Sequence, residues 1–596
     1  MRFESQRVAY WFFAVSMLLF TLQLVYGFIM AFAHMGYDVL HHIIPFNTAR
    51  TVHTNLLLMW LISGFMGAAY FIIPDETDRE LIMPRLAYVQ LIAYVIVGVL
   101  SILGFHYGIW EGRKFLEIPR FLDYLVVVDV LIFVLIIGGT LWSGKITTTG
   151  SVLFFGLLMA ALLYLPGMID TDNQTVDSYW RWWVVHLWVE GVWELIMGAI
   201  LCYLLLKLTG VDREIVEKWL YVIVAFTFLS GILGTGHHFY WIGTPKFWLL
   251  IGGIFSALEP LAFLGMAIFG IAMARKGSKE IINPMAMYWT LGCSILSFVG
   301  AGFLGFAHTL PRVNLYTHGT LVTAMHGHLA FWGAYAMLIL AMITYAMPKL
   351  CCNPRHVESS GLNYFAFWAS NIGMISMTLA FAVAGVTQVY LERIYGMDFL
   401  AVQKEIEVHF AGLILAASLF TLGILSFVIN FIRYGRPRAR VHDMSKDYIF
   451  DEAIDSICFK GEENSQERDN EMDDDEGVYD DTEEFDESDL EEIDIEDDDE
   501  YLSDEDDELD YSESSSMFDK NYGAYSYDKN TSKSYDEDDI DDDDDDDDDD
   551  CRDDMDGIDD IDDDEDRMWN IDDEDDIDDD DDDDEKGTYY DDDDID

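Results

Sequence analysis

The chain has 596 residues, 51% of them hydrophobic, yet 105 Asp+Glu against 35 Lys+Arg give it a formal net charge of −70. The excess is unevenly placed: up to about Lys446 there are 27 Lys+Arg and 26 Asp+Glu, which leaves 8 against 79 for the rest. An apolar, nearly neutral 1–446 followed by an acidic 447–596 excludes a single soluble domain and offers no basic surface to nucleic acid.

The first part holds about twelve apolar runs long enough to cross a bilayer as helices, so the fold class is an all-α membrane bundle of twelve transmembrane helices. The first run, Tyr10 to Ala33, is too long for a cleaved signal and lacks a small-residue cleavage site, and reads as a retained helix. The second, His53 to Ile73, opens on a histidine with Arg50 just ahead of it. The third and fourth, Leu86 to Tyr107 and Leu122 to Trp142, enclose a loop with Glu111, Lys114 and Glu117; the fifth is Thr147 to Pro166. The sixth, Trp180 to Leu208, carries His186, Glu190 and Glu194 at i, i+4 and i+8, which places all three along one helix face. The seventh, Tyr221 to Tyr240, closes on His237 and His238, where the helix loosens after Gly234 and Gly236.

The eighth run, Phe247 to Ala274, contains Glu259 before Pro260, and the ninth is Met287 to Ala307. The tenth, Thr320 to Met347, has His326 and His328 about two turns in, with Gly327 between them and Gly319 and Gly333 nearby. The last two are Tyr364 to Val386 and His409 to Ile432. An even number of runs puts both termini on one side. Lys and Arg are twice as frequent on that side, with Lys207, Arg213, Lys279, Arg355, Arg438, Arg440 and Lys446 among them, so both termini are cytoplasmic under the positive-inside rule.

In this topology His53, His186, His237, His238, His326 and His328 all fall in the outer part of the membrane. Histidine in lipid is costly, and six at one depth imply a metal-bearing layer inside the bundle. Residues two apart on a helix differ by about 200° in direction, so His326 and His328 leave opposite faces and one helix can ligate two haems. His328 with His53 supplies both axial ligands of a low-spin haem, while His326 binds a second haem with an open position. Gly319, Gly327 and Gly333 leave room for flat macrocycles near the backbone. His186, His237 and His238 form a separate metal site; three imidazoles alone suit copper or zinc, and an added Glu190 oxygen shifts the preference towards iron. No C-x-x-C-H is present, so no c-type haem is attached to this chain.

The stretches A-R-T-V-H53-T-N-L-L, W-W-V-V-H186-L-W-V-E190-G-V-W-E194, G-T-G-H237-H238 and T-A-M-H326-G-H328 resemble those of the catalytic subunit of bacterial nitric oxide reductase, within the haem-copper oxidase superfamily. The resemblance spans about residues 10 to 435. It implies that His53 and His328 ligate a low-spin haem b, that His326 ligates a high-spin haem b, and that His186, His237, His238 and Glu190 hold a non-haem iron opposite it. The implied reaction joins two NO into N2O and water in the bacterial inner membrane. Glu190, Glu194 and Glu259 are the three acids that apolar helices supply for proton delivery, and the inner halves show no comparable acid or lysine series. Proton uptake from the outer side without pumping follows.

The rival within the superfamily is an oxygen-reducing cytochrome oxidase, whose common members carry a tyrosine four residues after the first histidine. Glu190 stands there instead, and Tyr240 is the nearby tyrosine, read as a packing residue. A non-enzymatic rival, an ion transporter with relaying His and Glu, needs no i, i+2 histidine pair around glycine. The loop W110-E-G-R-K-F-L-E117-I-P is similar to the family's G-R-E-F-L-E segment, which helps build a calcium site near the haem propionates, with Glu117 as a ligand. Lys114 replaces its first acid. Either Glu111 substitutes, or Lys114 partly neutralises the propionates and calcium is absent. Arg50 is a propionate partner, since guanidinium pairs with carboxylates.

About nine residues precede the first helix, whereas quinol-using relatives carry a long N-terminal extension, so a membrane-anchored c-type cytochrome subunit is the expected electron donor. The segment 447–596, with ten consecutive aspartates at 541–550, has too little apolar content for a core and reads as a disordered cytoplasmic tail.

Overall fold

The computed structural model describes residues 1–37, 40, 42–277, 283–351 and 361–437. The acidic segment 447–596 lies outside the described residues, as do Lys279, Arg355, Arg438, Arg440 and Lys446. Twelve helices are long and apolar enough to cross a membrane: α1 Glu4–His34, α2 Phe46–Thr77, α3 Pro84–His106, α4 Arg120–Ser143, α5 Thr148–Met168, α6 Gln174–Thr209, α7 Arg213–Phe239, α8 Phe247–Lys276, α9 Pro284–Thr309, α10 Leu321–Cys351, α11 Gly361–Ile394 and α12 Phe399–Tyr434.

Most helices run past their apolar stretches, because polar caps continue the backbone hydrogen bonding beyond the hydrocarbon layer. The Asn173 side chain accepts from Thr175 and Val176 N–H at the start of α6, Asp212 from Glu214 N–H before α7, and Thr320 from Val322 N–H before α10. The helix boundaries also correct one expectation: His53 does not open α2 but lies two turns inside it, since the helix starts at Phe46 after Pro45.

Burial sorts the helices. The apolar windows of α2, α6 and α10 are 83%, 78% and 89% buried, and no other span exceeds 44%. These three central helices carry His53, His186, His326 and His328, and the remaining two histidines of the layer close α7. The outer spans are lipid-facing on one side, so their apolar residues are exposed where the protein meets hydrocarbon rather than water.

Three of the helices near the histidines contain a π-helical turn: Trp188–Val192 in α6, Phe298–Phe303 in α9 and Trp332–Ala336 in α10. Such a turn widens the helix and releases a backbone carbonyl from its usual partner. α9 and α10 cross where two of these turns meet. A Cβ on Gly300 would lie 2.6 Å from the Leu329 carbonyl, and one on Gly333 would lie 2.5 Å from that of Leu296. Gly333 is therefore a helix-packing residue, contrary to its expected role beside a macrocycle, whereas Gly327 does open onto free space.

At the end of the bundle where α2 finishes, Asp75 meets Lys207 Nζ at 2.9 Å, Tyr203 OH at 2.8 Å and Arg2 Nη1 at 3.2 Å. Beside it Glu76 accepts from Arg213 at 2.7 and 2.9 Å and from Thr147 Oγ1 at 2.7 Å. Acids and a lysine thus do gather at that end, against expectation, but as ion pairs that neutralise one another. Buried acids are also more numerous than the expected three, because Asp123 and Asp129 are enclosed in α4.

Gly333→Ala should force α9 and α10 apart at a backbone contact, at a cost of about 1–3 kcal/mol. The measurement is the thermal midpoint of the purified protein in detergent; an unchanged midpoint would remove the crossing as a stability determinant.

Candidate metal centre

His186, Glu190, His237 and His238 come together so that one ligand atom from each lies within 4.8 Å of all the others. Among the described residues this is the one grouping of three or more His, Cys, Asp or Glu donors so close. His186 is 2% exposed and its Nε2 donates to the Gly231 carbonyl of α7 at 2.8 Å, which turns Nδ1 inward, 3.3 Å from Glu190 Oε2. That Nδ1 is buried without a hydrogen-bond partner. An orphaned ring nitrogen beside a carboxylate and two further imidazoles fits a cation, and the donor set fits iron.

The other ligand positions follow from local backbone. Glu190 sits in the α6 π turn at φ −105°, ψ 23°, which brings its carboxylate back towards His186. α7 ends in a 3₁₀ turn, Thr235–Phe239, and its tighter winding sends the adjacent rings of His237 and His238 to one place, with centroids 4.2 Å apart. His237 Nδ1 is paired with Ser256 Oγ at 2.9 Å, so Nε2 faces inward, while His238 stacks on Trp182 at 4.2 Å. Each ring is thereby fixed by a partner outside the ligand set.

On α10, His326 Nδ1 donates to the Gly300 carbonyl at 3.0 Å and His328 Nδ1 to the Ala324 carbonyl at 2.7 Å. His53 Nδ1 donates to the Gln23 carbonyl at 3.0 Å. All three therefore keep Nε2 for a metal. The His53 and His328 ring centroids are 6.3 Å apart, a separation that accommodates one metal with two imidazole bonds of about 2 Å. Both line a cavity of about 500 Å³ that also includes Arg50, Lys114, Gly27, Gly319 and Gly327. Its size, its two opposed imidazoles and its cations fit a haem with carboxylate side chains.

The acids divide by partner. Glu259 is buried and lies within electrostatic reach of Glu190 and Glu194. Glu194 Oε2 accepts from Thr227 Oγ1 at 3.1 Å, and its Oε1 is buried without a partner. Glu117 is held by Asn55 Nδ2 at 3.0 Å and is not grouped with other metal donors. Burial raises its pKa, countered first by Asn55.

Several supporting residues escaped the sequence. A Cβ on Gly231 would collide with the Glu190 carbonyl oxygen, so only glycine lets α7 approach the π turn. Ser256 and Gly300 escaped notice because a serine or glycine in an apolar helix carries no distinctive pattern. Tyr240 is a packing residue, with its OH donating to the Thr309 carbonyl at 3.1 Å. It is not the one tyrosine nearby: Tyr335 of α10 donates to the Val189 carbonyl in the π turn of α6.

A central helical layer that gathers three histidines and a glutamate at one position, and leaves Nε2 of three further imidazoles free, fits a redox membrane protein of the haem-copper type. The chain belongs to the cytochrome c and quinol oxidase polypeptide I family, whose pattern matches residues 7–428. Within that family it groups with the nitric oxide reductases: a subunit of that enzyme from Stutzerimonas stutzeri is 43% identical over 456 residues, covering 73% of this chain and 96% of the relative. The cbb3-type cytochrome c oxidase subunit CcoN1 of the same organism is 21% identical over 379 residues, 60% of this chain and 78% of that one. A haem-copper terminal oxidase dimer solved by cryo-EM shares the fold, with a TM-score of 0.62 at 16% identity, covering 74% of this chain and 87% of the other.

Gly231→Ala should displace the Glu190 carbonyl and break the His186 hydrogen bond. The expected result is loss of most metal from the three-histidine site, read by metal analysis, with haem absorption retained. Full metal content in this variant would refute the dependence.

Proposed function

We propose that the chain is the catalytic subunit of a nitric oxide reductase, which joins two NO into N2O and water with two electrons and two protons. The observation that carries the reading is Glu190 converging with three imidazoles, a donor set suited to iron. The similarity to the Stutzerimonas stutzeri nitric oxide reductase along nearly all of that relative supports it.

In this reading His53 and His328 hold a low-spin haem b, His326 a high-spin haem b, and His186, His237, His238 and Glu190 a non-haem iron. When bound, these groups supply electron relay and Lewis-acid binding of two NO molecules side by side. The chain's own residues do the rest. Gly231, Ser256 and Gly300 orient the ligand rings, and the buried packing of Leu187, Val192 and Trp193 excludes water from the surroundings of the site. Glu190, Glu194 and Glu259 are the acids that carry protons to the centre, and Glu194 presents a buried unpaired oxygen to accept one. Protons reach them from the outer side, without pumping.

The electron donor is a membrane-anchored c-type cytochrome subunit, and the complex lies in the bacterial inner membrane with both termini of this chain in the cytoplasm. Residues 1–446 form the catalytic domain. Residues 447–596 lie beyond the stretch that the family pattern matches, which ends at residue 428. A protein truncated near Lys446 should accordingly keep its haem absorption and most of its NO turnover with an artificial donor; loss of both haems would make the segment structural.

Glu190→Ala tests the centre itself. Both haems should remain, the non-haem iron should be lost or loosened, and NO reduction should fall about 10²-fold or more. Copper in the purified wild-type protein, or O2 consumption far above NO consumption, would favour an oxygen-reducing oxidase instead.

A further inference from the structure

The loop between α3 and α4 does not build a divalent-cation site. Glu111 is committed elsewhere: its Oε1 accepts from Arg120 N–H at 2.9 Å, and its Oε2 lies 3.5 Å from Arg120 Nη2. Glu117 is committed to Asn55. The acids that gather with Glu111, Asp123 and Asp170, are neutralised by Arg120, and Glu117 meets no second acid among the described residues, so the expected calcium does not fit the residues present.

What the loop does present is Lys114. Leu116 N–H bonds the Arg113 carbonyl at 2.9 Å, closing a four-residue turn with Lys114 and Phe115 at its centre. Phe115 has φ +71°, a left-handed conformation costly for an aromatic residue. That conformation lets Lys114 reach the cavity shared by His53 and His328, with Nζ 5.2 Å from the Phe115 ring centroid. Lys114 lies within electrostatic reach of Arg50 on α2 and Arg181 on α6. None of the three cations has a carboxylate at ion-pair distance among the described residues. Burial, then Arg50 and Arg181, push the Lys114 ammonium down to about 8, with Glu117 opposing. Three neighbouring cations without carboxylate partners repel one another and favour an anion among them.

We propose that Lys114 takes the place of a divalent cation here, its ammonium serving the carboxylates of the haem that His53 and His328 would hold. The proposal rests on the haem assignment above. A single ammonium carries half the charge of calcium and cannot be removed by a chelator. It stabilises the reduced haem over the more positive oxidised one, so removing it lowers the reduction potential.

The test uses the purified wild-type complex and the variants Lys114→Gln and Lys114→Arg. Wild type should contain no stoichiometric calcium, and dialysis against EGTA should leave its haem spectrum and potential unchanged. Lys114→Gln should shift the low-spin haem's reduction equilibrium about ten-fold towards the oxidised form, about 59 mV for one electron, and Lys114→Arg should restore most of it. If Lys114→Gln fails to fold, the chelator and calcium measurements decide. About one calcium per chain, removed by EGTA together with a spectral change, would overturn the proposal, as would an unshifted potential in Lys114→Gln. Wild-type protein without haem would instead overturn the functional reading beneath it.

Discussion

The arrangement of this centre depends on one hydrogen bond, from His186 Nε2 to the Gly231 carbonyl across α6 and α7. It fixes which ring nitrogen faces the other ligands, and a carbonyl acceptor can be met only by the protonated nitrogen. For the bond to form, α7 must approach the α6 backbone so closely that position 231 has no room for a Cβ. The α6 π turn lies at this contact, carries Glu190 and lends the Val189 carbonyl to Tyr335 of α10. One contact therefore couples the three-histidine position to the helix that carries His326 and His328.

The same device recurs at His326. Gly300 lies in the α9 π turn, and its carbonyl accepts from His326 Nδ1. π-helical turns cost regular hydrogen bonding, and here the released carbonyls orient side chains that must not rotate. The scaffold is rigid because these acceptors belong to packed helix backbones rather than to loops.

Charge is managed differently at the two ends of the bundle. Where α2 ends, Asp75, Glu76, Lys207, Arg213 and Arg2 satisfy one another, so no external ion is required. At the opposite end Arg50, Lys114 and Arg181 have no carboxylate at ion-pair distance among the described residues. Such a local excess of positive charge attracts an anionic ligand. The contrast marks the end of the bundle that offers cations to an anionic ligand.

The sequence by itself determined the twelve spans, because each needs only local apolar length, and the opposite directions of His326 and His328, because helical periodicity separates residues two apart. It also determined that His186 and Glu190 share a face. Tertiary structure decided what no local pattern encodes. The start of α2 ahead of His53 was set by the Pro45 boundary rather than by hydropathy, and Gly333 was claimed by the backbone of Leu296. Glu111 was drawn to Arg120, which left Lys114 as the loop's contribution to the cavity lined by His53 and His328. Gly231, Ser256 and Gly300 stayed hidden for the same physical reason: their function is to be approached by another helix, and which helix approaches is a property of the packed bundle, not of the segment that contains them.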